Sequence, residues 1–303
     1  KAEYWLFFWN RVGYCFKPTC QKPTDNLTQF LSMLGNQRFP THLNIIFIQV
    51  KFMGEIVDIL DKIKRYFKFT PLELRSLIIA IMVVAFIISF REWGYGTNFS
   101  LRVGLFNFFN AILIVALSFL VHLSVQRIWS LGTGYRLEWK MWSFGLLFGL
   151  IMAFLTNGLF WLILPGGFIV HHMAGHRLGW FRYGINYWAV GLIAVTGPFA
   201  TIILVAVFKA LSGFVVSSLI QKVIAFNIAY ALYSILPIPP LDGSKTFYGS
   251  RMLYAFSTAG IVAAAVLLSI DISVGLALIS SFFIGVILWF FYYILFENKA
   301  WKY

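Results

Sequence analysis

Apolar residues run along this chain in long blocks, separated by short polar and basic punctuation, and only one segment shows the isolated stripe of a surface helix. Read as membrane helices, the blocks predict spans at about Leu77–Phe90, at about Gly104–Trp129, and at about 191–211, 216–236, 252–270 and 273–296. The block at 143–164 is broken by Thr156-Asn157-Gly158 and ends in Pro165-Gly166-Gly167, so it reads as a re-entrant hairpin. Parity supports that reading. If the block turns back, the positive flanks at 127–140, 177–182, Arg251 and the C-terminal lysines fall on one side, as cytoplasmic flanks do. Lys222, just inside the outer end of its span, is the exception. The fold class expected is therefore an all-α polytopic membrane protein with six spans and one hairpin, multi-pass in the cell membrane, with both termini cytoplasmic.

Residues 1–70 are more polar and read as a cytosolic N-terminal segment, followed by a membrane domain at 71–303. Within 1–70, Gly54–Phe67 places apolar residues at helical spacing with charges between them, the pattern of an amphipathic helix on a membrane surface or on the bundle. Pro71 is suited to the first position of the next helix. Arg127, Arg136 and Lys140 read as a basic loop after the second span.

Composition sharpens this picture in two ways. The chain is 60% hydrophobic and 12% charged, against about a quarter charged in soluble domains. Its net charge of +13 sits largely at the flanks of apolar blocks and in the first seventy residues, which fits anionic lipid and not nucleic acid. Cys15 and Cys20 lack convincing further zinc ligands nearby and read as free thiols. The glycosylation-type triplets at Asn26 and Asn98 carry little weight.

Candidate chemistry begins at Ser234-Ile-Leu-Pro-Ile-Pro-Pro-Leu-Asp-Gly243. Three prolines break a membrane helix there, and the freed backbone groups need protein or a polar cavity beside them. An ionisable residue at such a break, Asp242, is a functional-site hypothesis by default. Two histidine sets compete as its partners. His172 and His176, within His171-His172-Met173-Ala174-Gly175-His176, are spaced i, i+4 as in zinc-binding H-E-x-x-H helices, but Met173 stands where the general base belongs. The glycines and arginines around that stretch favour the other reading, a polar, surface-lying His cluster in an interfacial loop. The second set is His122-Leu-Ser-Val-Gln126 on the second span, where His122 is either a polar-site residue or a core histidine bonded to a carbonyl.

The order of these features resembles the site-2 protease family of intramembrane zinc metalloproteases, in particular its archaeal members. Ser234 to Gly243 is similar to the family's N-L-L-P-I-P-P-L-D-G motif, with Ser234 in place of Asn. Gly197-Pro198-Phe-Ala-Thr201 resembles G-P-L-x-N, and Leu164-Pro-Gly-Gly-Phe168 resembles A-P-G-A-V. Residues 122–146 align without a gap on the family's H-E-x-x-H stretch, with His122 as the first His, Gly134, Glu138 and Trp142 at matching positions. The resemblance covers about 70–245 and implies a core at about 104–245 followed by a helix pair at 252–296.

It implies His122 and Asp242 as vestiges of the metal set. Leu123 replaces the general base and Gln126 the second His. Pro165, Gly166, Gly167, Gly197, Pro198, Ser234, Pro237, Pro240 and Gly243 would shape the cleft. Losing a general base typically costs about 10²–10⁴ in rate, and a catalytic zinc needs three protein ligands. The resemblance thus points to a family member without protease chemistry and without a cofactor, in the lipid bilayer, binding a membrane protein or an unwound peptide. Two alternatives stand beside it: a working zinc protease using His172, His176 and Asp242, or an accessory subunit of a larger membrane complex.

Overall fold

The computed structural model describes residues 57–95, 98–172, 185–215, 217–270 and 272–297. Cys15, Cys20, Asn26, Met173, His176 and the arginines at 177 and 182 lie outside the described residues. Residues 57–66 are helical, in agreement with the expected amphipathic segment. Helix α1 (Pro71–Ser89) opens with Pro71 in its first turn. Its N-cap is a capping box: Thr70 Oγ1 accepts the Glu73 N–H, and Glu73 Oε2 accepts the Thr70 N–H. The cap places the start of α1 six residues before the expected Leu77.

Strands β1 (Gly94–Tyr95) and β2 (Asn98–Phe99) pair antiparallel before helix α2 (Leu101–Gly132). Strand β3 (Tyr135–Met141) follows, then helix α3 (Ser143–Leu155) and strand β4 (Gly166–His172). The second half contains α4 (Tyr187–Ser212), α5 (Ser218–Ser234), the short α6 (Asp242–Gly249), α7 (Arg251–Ser269) and α8 (Val274–Tyr292). A π-helical turn, Tyr293–Glu297, extends α8.

Among the described residues five helices, α1, α2, α4, α7 and α8 with its extension, are long and apolar enough to cross a membrane. This is the make-up of a multi-pass helical membrane protein. The sixth apolar block forms α5, 17 residues long. Helix α3 has 13 residues, roughly 20 Å at 1.5 Å per residue, too short to span about 30 Å of hydrocarbon. After it the chain turns at 156–160 and runs back, so that the Trp142 N–H donates to the Pro165 carbonyl at 3.0 Å. The 143–164 block therefore returns to its starting point.

Two expectations are corrected. Within a mostly helical chain, as expected, residues 135–141, read as a basic loop, instead pair antiparallel with β4 from Tyr135↔His172 to Met141↔Gly166. Tyr135, Leu137 and Trp139 alternate inward, with Tyr135 and Leu137 packing with Phe168, Val190 and Ile193, while Arg136 and Lys140 face out. Period-two alternation buries one face of the strand and leaves the charges on the other. Nor does Arg127 belong to a loop. It lies in the last turns of α2 and is 1% exposed.

Arg127 forms an ion pair with Glu73, itself 4% exposed. Glu73 Oε1 also accepts the Trp139 N–H at 3.0 Å, and Arg127 Nη1 donates to the Lys68 carbonyl at 2.8 Å. The guanidinium lies 4.0 Å from the centre of the Phe69 ring. One buried pair thus ties the start of α1, the segment before it, the end of α2 and strand β3. Helix α4, the most buried of the five long helices, touches α2, α5, α6, α7 and α8. Everything that follows is arranged around it.

Replacing Arg127 by Met leaves Glu73 as an uncompensated buried carboxylate, a loss of about 3–5 kcal/mol for such pairs. The expected result is a clear drop in thermal stability in detergent for Arg127→Met, with a smaller drop when Glu73→Gln is added, read from melting curves of the three proteins.

Candidate functional site

His122 and Gln126 are one turn apart on α2 and share a face. That face meets α4 at Gly197-Pro198, which lie inside the continuous helix. Pro198 has no N–H, so the carbonyl four residues earlier, Ala194, loses its helical donor. Gln126 Nε2 donates to that carbonyl at 3.3 Å. Gly197 makes the close approach feasible: a Cβ there would overlap His122 Nε2 and Gln126 Nε2.

The third element is the end of α5 and the start of α6. Ser234 closes α5 with its hydroxyl bonded to the Ala231 carbonyl. Residues 235–241 turn through Pro237, Pro239 and Pro240, and the Pro239–Pro240 peptide is cis. Helix α6 then begins at Asp242, so the carboxylate sits in the first helical turn, where the backbone dipole favours negative charge. Gly243 packs so tightly on the end of α5 that a Cβ would overlap the Ile235 carbonyl.

These elements bring three polar side chains together. His122 Nε2 lies 2.8 Å from Asp242 Oδ2, and Gln126 Nε2 donates to the same oxygen at 2.9 Å. His122, Gln126 and Asp242 are 2%, 1% and 5% exposed. Both partners of the Gln126 amide are acceptors, so its nitrogen faces them and Oε1 points away, buried and without a partner. His122 Nδ1 is likewise buried and unpartnered, and the Tyr230 ring packs on the imidazole at 4.8 Å.

A small cavity adjoins the three, lined by Leu123, Trp139, Pro165-Gly166-Gly167, Tyr230, Ser234 and Leu241. Its volume open to the centre of a water-sized sphere is about 10 Å³, at the lower limit for a single water. Gly167 lets β4 pass directly over the Pro240 carbonyl, which a Cβ would overlap. Lys245, one turn beyond Asp242, donates to the same carbonyl at 2.6 Å and lies 4.5 Å from the centre of the Phe168 ring. Burial pushes its ammonium pKa below the ordinary value, and the Asp242 charge partly offsets this.

The two other histidines among the described residues lie elsewhere. His172 ends β4, is exposed, and packs on Tyr135 at 5.1 Å. It is five residues beyond Gly167, roughly 16 Å at 3.3 Å per strand residue, from the point where β4 meets Pro240. His171 reaches Glu138 at 3.4 Å on the outer face of the strand pair.

The central donor set does not fit a catalytic zinc. His122 Nε2 and Asp242 Oδ2, 2.8 Å apart, offer two ligand atoms, where a catalytic zinc takes three protein ligands. Gln126 brings an N–H donor to the same oxygen and turns its own oxygen away. Among the described residues no group of three His, Cys, Asp or Glu side chains comes together for a metal. Leu123, 2% exposed beside the cavity, cannot accept a proton.

Read from the sequence, Gln126 is only a lost ligand. Its bridging of Ala194 and Asp242, and the positions of Tyr230 and Lys245, come from the structure. The signal for the first is present in the residues, since Pro198 necessarily frees the Ala194 carbonyl.

A protein of Methanocaldococcus jannaschii named "Putative zinc metalloprotease" is 27% identical to this chain over 194 residues, covering 62% of this chain and 90% of the relative. No family model matches the chain, and no solved structure matches it.

A methyl group at residue 197 would press on the two side chains that hold Asp242. Gly197→Ala is expected to cost about 1–3 kcal/mol through overpacking. Gly260→Ala on α7, where a Cβ meets nothing within 4 Å, should be neutral or stabilising. Parallel melting curves of the two variants check this.

Proposed function

We propose that this chain is a member of the site-2 protease family that has kept the cleft and lost zinc hydrolysis, and that it acts by binding an extended segment of a membrane partner. The observation that carries the reading is the Gln126 amide bonded to Asp242 in place of a third ligand. Leu123 at the general-base position removes the group that would activate water. The relative's name supports the zinc metalloprotease ancestry, and the site's departures from that chemistry support inactivity.

The cavity at Asp242 is too small for a peptide. Partner binding belongs instead to the strand pair. Trp139 of β3 is engaged by Glu73 on its outer edge, whereas β4 runs from the cleft at Gly167 out to the exposed His171 and His172. An added strand satisfies backbone groups along such an edge. The return of residues 143–164 supports both termini and the basic flanks lying on the cytoplasmic side.

The relative's name also favours a second reading, a working zinc protease, which would draw on His172, His176 and Asp242. Zinc content of the purified protein and cleavage of a transmembrane model substrate separate the two. Absence of bound zinc and of cleavage is expected. Stoichiometric zinc with chelator-sensitive cleavage would overturn the proposal, and loss of that zinc in His172→Ala would establish the second ligand set.

A further inference from the structure

The structure assigns Gln126 the role of a metal ion's substitute, its amide cross-linking α2, α4 and α6. This rests on the reading of the site as one without zinc and says what holds such a site together. A buried carboxylate among apolar helices is costly unless hydrogen-bonded. In a three-ligand metal site the ion neutralises it. Here the two amide protons of Gln126 go to two acceptors on two other helices, Asp242 Oδ2 at the start of α6 and the Ala194 carbonyl on α4. Gln combines two N–H donors, this reach and no charge: Leu and Met have no donor, an ionised acid has none, Asn is one methylene shorter, and Lys or Arg would bring a buried charge.

The Ala194 carbonyl makes the assignment more than a fortuitous contact. It is available because Pro198 withholds an N–H, and Gly197 beside it leaves the space in which Gln126 and His122 lie. A freed carbonyl of this kind is also the acceptor to which a metal-bound histidine commonly donates its second ring N–H. The same backbone break can therefore serve a histidine ligand or a glutamine brace. With His122 already 2.8 Å from Asp242, residue 126 alone decides which. His122, Asp242 and a histidine at 126 would form a complete three-ligand set.

The test uses the full chain in detergent, with zinc content and thermal unfolding measured with and without 1,10-phenanthroline. The wild type is expected to be free of zinc and to melt identically with the chelator. Gln126→Leu, of similar volume but without donors, should lower Tm on the order of 5 °C. The fall should be smaller in the Gln126→Leu/Asp242→Asn double variant, which no longer buries the charge. Gln126→His should bind stoichiometric zinc and acquire chelator-sensitive melting. A zinc-bound wild type destabilised by the chelator would overturn both this inference and the proposed loss of chemistry. A zinc-free wild type together with unchanged melting of Gln126→Leu, or with an equal fall in the double variant, would overturn the inference alone. So would a folded Gln126→His protein that takes up no zinc. The leucine series decides the matter even where the histidine variant does not fold.

Discussion

A carboxylate held at 5% exposure among apolar helices is the constraint on which the centre of this protein depends. A carboxyl group so placed needs hydrogen-bond partners, since without them its burial costs more than packing returns. The chain meets this by placing Asp242 in the first turn of α6, under the backbone dipole, and aiming two side chains of α2 at one of its oxygens. Each requirement reaches into the local sequence. The prolines at 237, 239 and 240 end α5 so that α6 can start at the right place. Gly243 and Gly197 remove the Cβ atoms that would keep the three helices apart.

The second buried charge pair works differently. Glu73 and Arg127 compensate each other, and around them the further hydrogen-bond partners are backbone: Thr70 N–H, Trp139 N–H and the Lys68 carbonyl. A buried ion pair contributes little net stability when compared with apolar packing, but it specifies which elements meet. Here it fixes β3 against the helix that carries His122 and Gln126. The strand pair then brings Pro165-Gly166-Gly167 to the cavity wall. The site is thus supported from outside by a network that meets it through α2 and through Trp139, which bonds Glu73 and lines the cavity.

Much of this is legible in the residues. Helix positions follow from apolar blocks, and the turn-back at 143–164 follows from Thr156-Asn157-Gly158 and the Pro-Gly-Gly end. His122 and Asp242, 120 positions apart, pair on motif order. What escapes the sequence does so for physical reasons. The β3 alternation spans seven residues, and its outward charges, Arg136 and Lys140, look like those of a basic loop. Arg127 reads as one more positive flank because its buried partner lies 54 residues away, inside a capping box that already accounts for a glutamate at that position. Gln126 reads as a missing histidine because motif comparison registers what a position lacks. A count of freed backbone acceptors registers what it could supply.

That count gives the site its internal logic. Helix breaks in a membrane core expose carbonyls that must be met by protein groups. A break that positions a metal ligand thereby also creates an acceptor for a neutral donor. Pro198 frees Ala194, and an amide that reaches both Ala194 and Asp242 satisfies the two demands with one side chain. A cleft of this architecture can therefore give up a metal without giving up its fold, provided the residue that replaces the ligand brings two protons. On the proposed reading Leu123 involves no comparable requirement, since a general base serves the reaction and not the packing, and an apolar side chain at 2% exposure would simply fill its place.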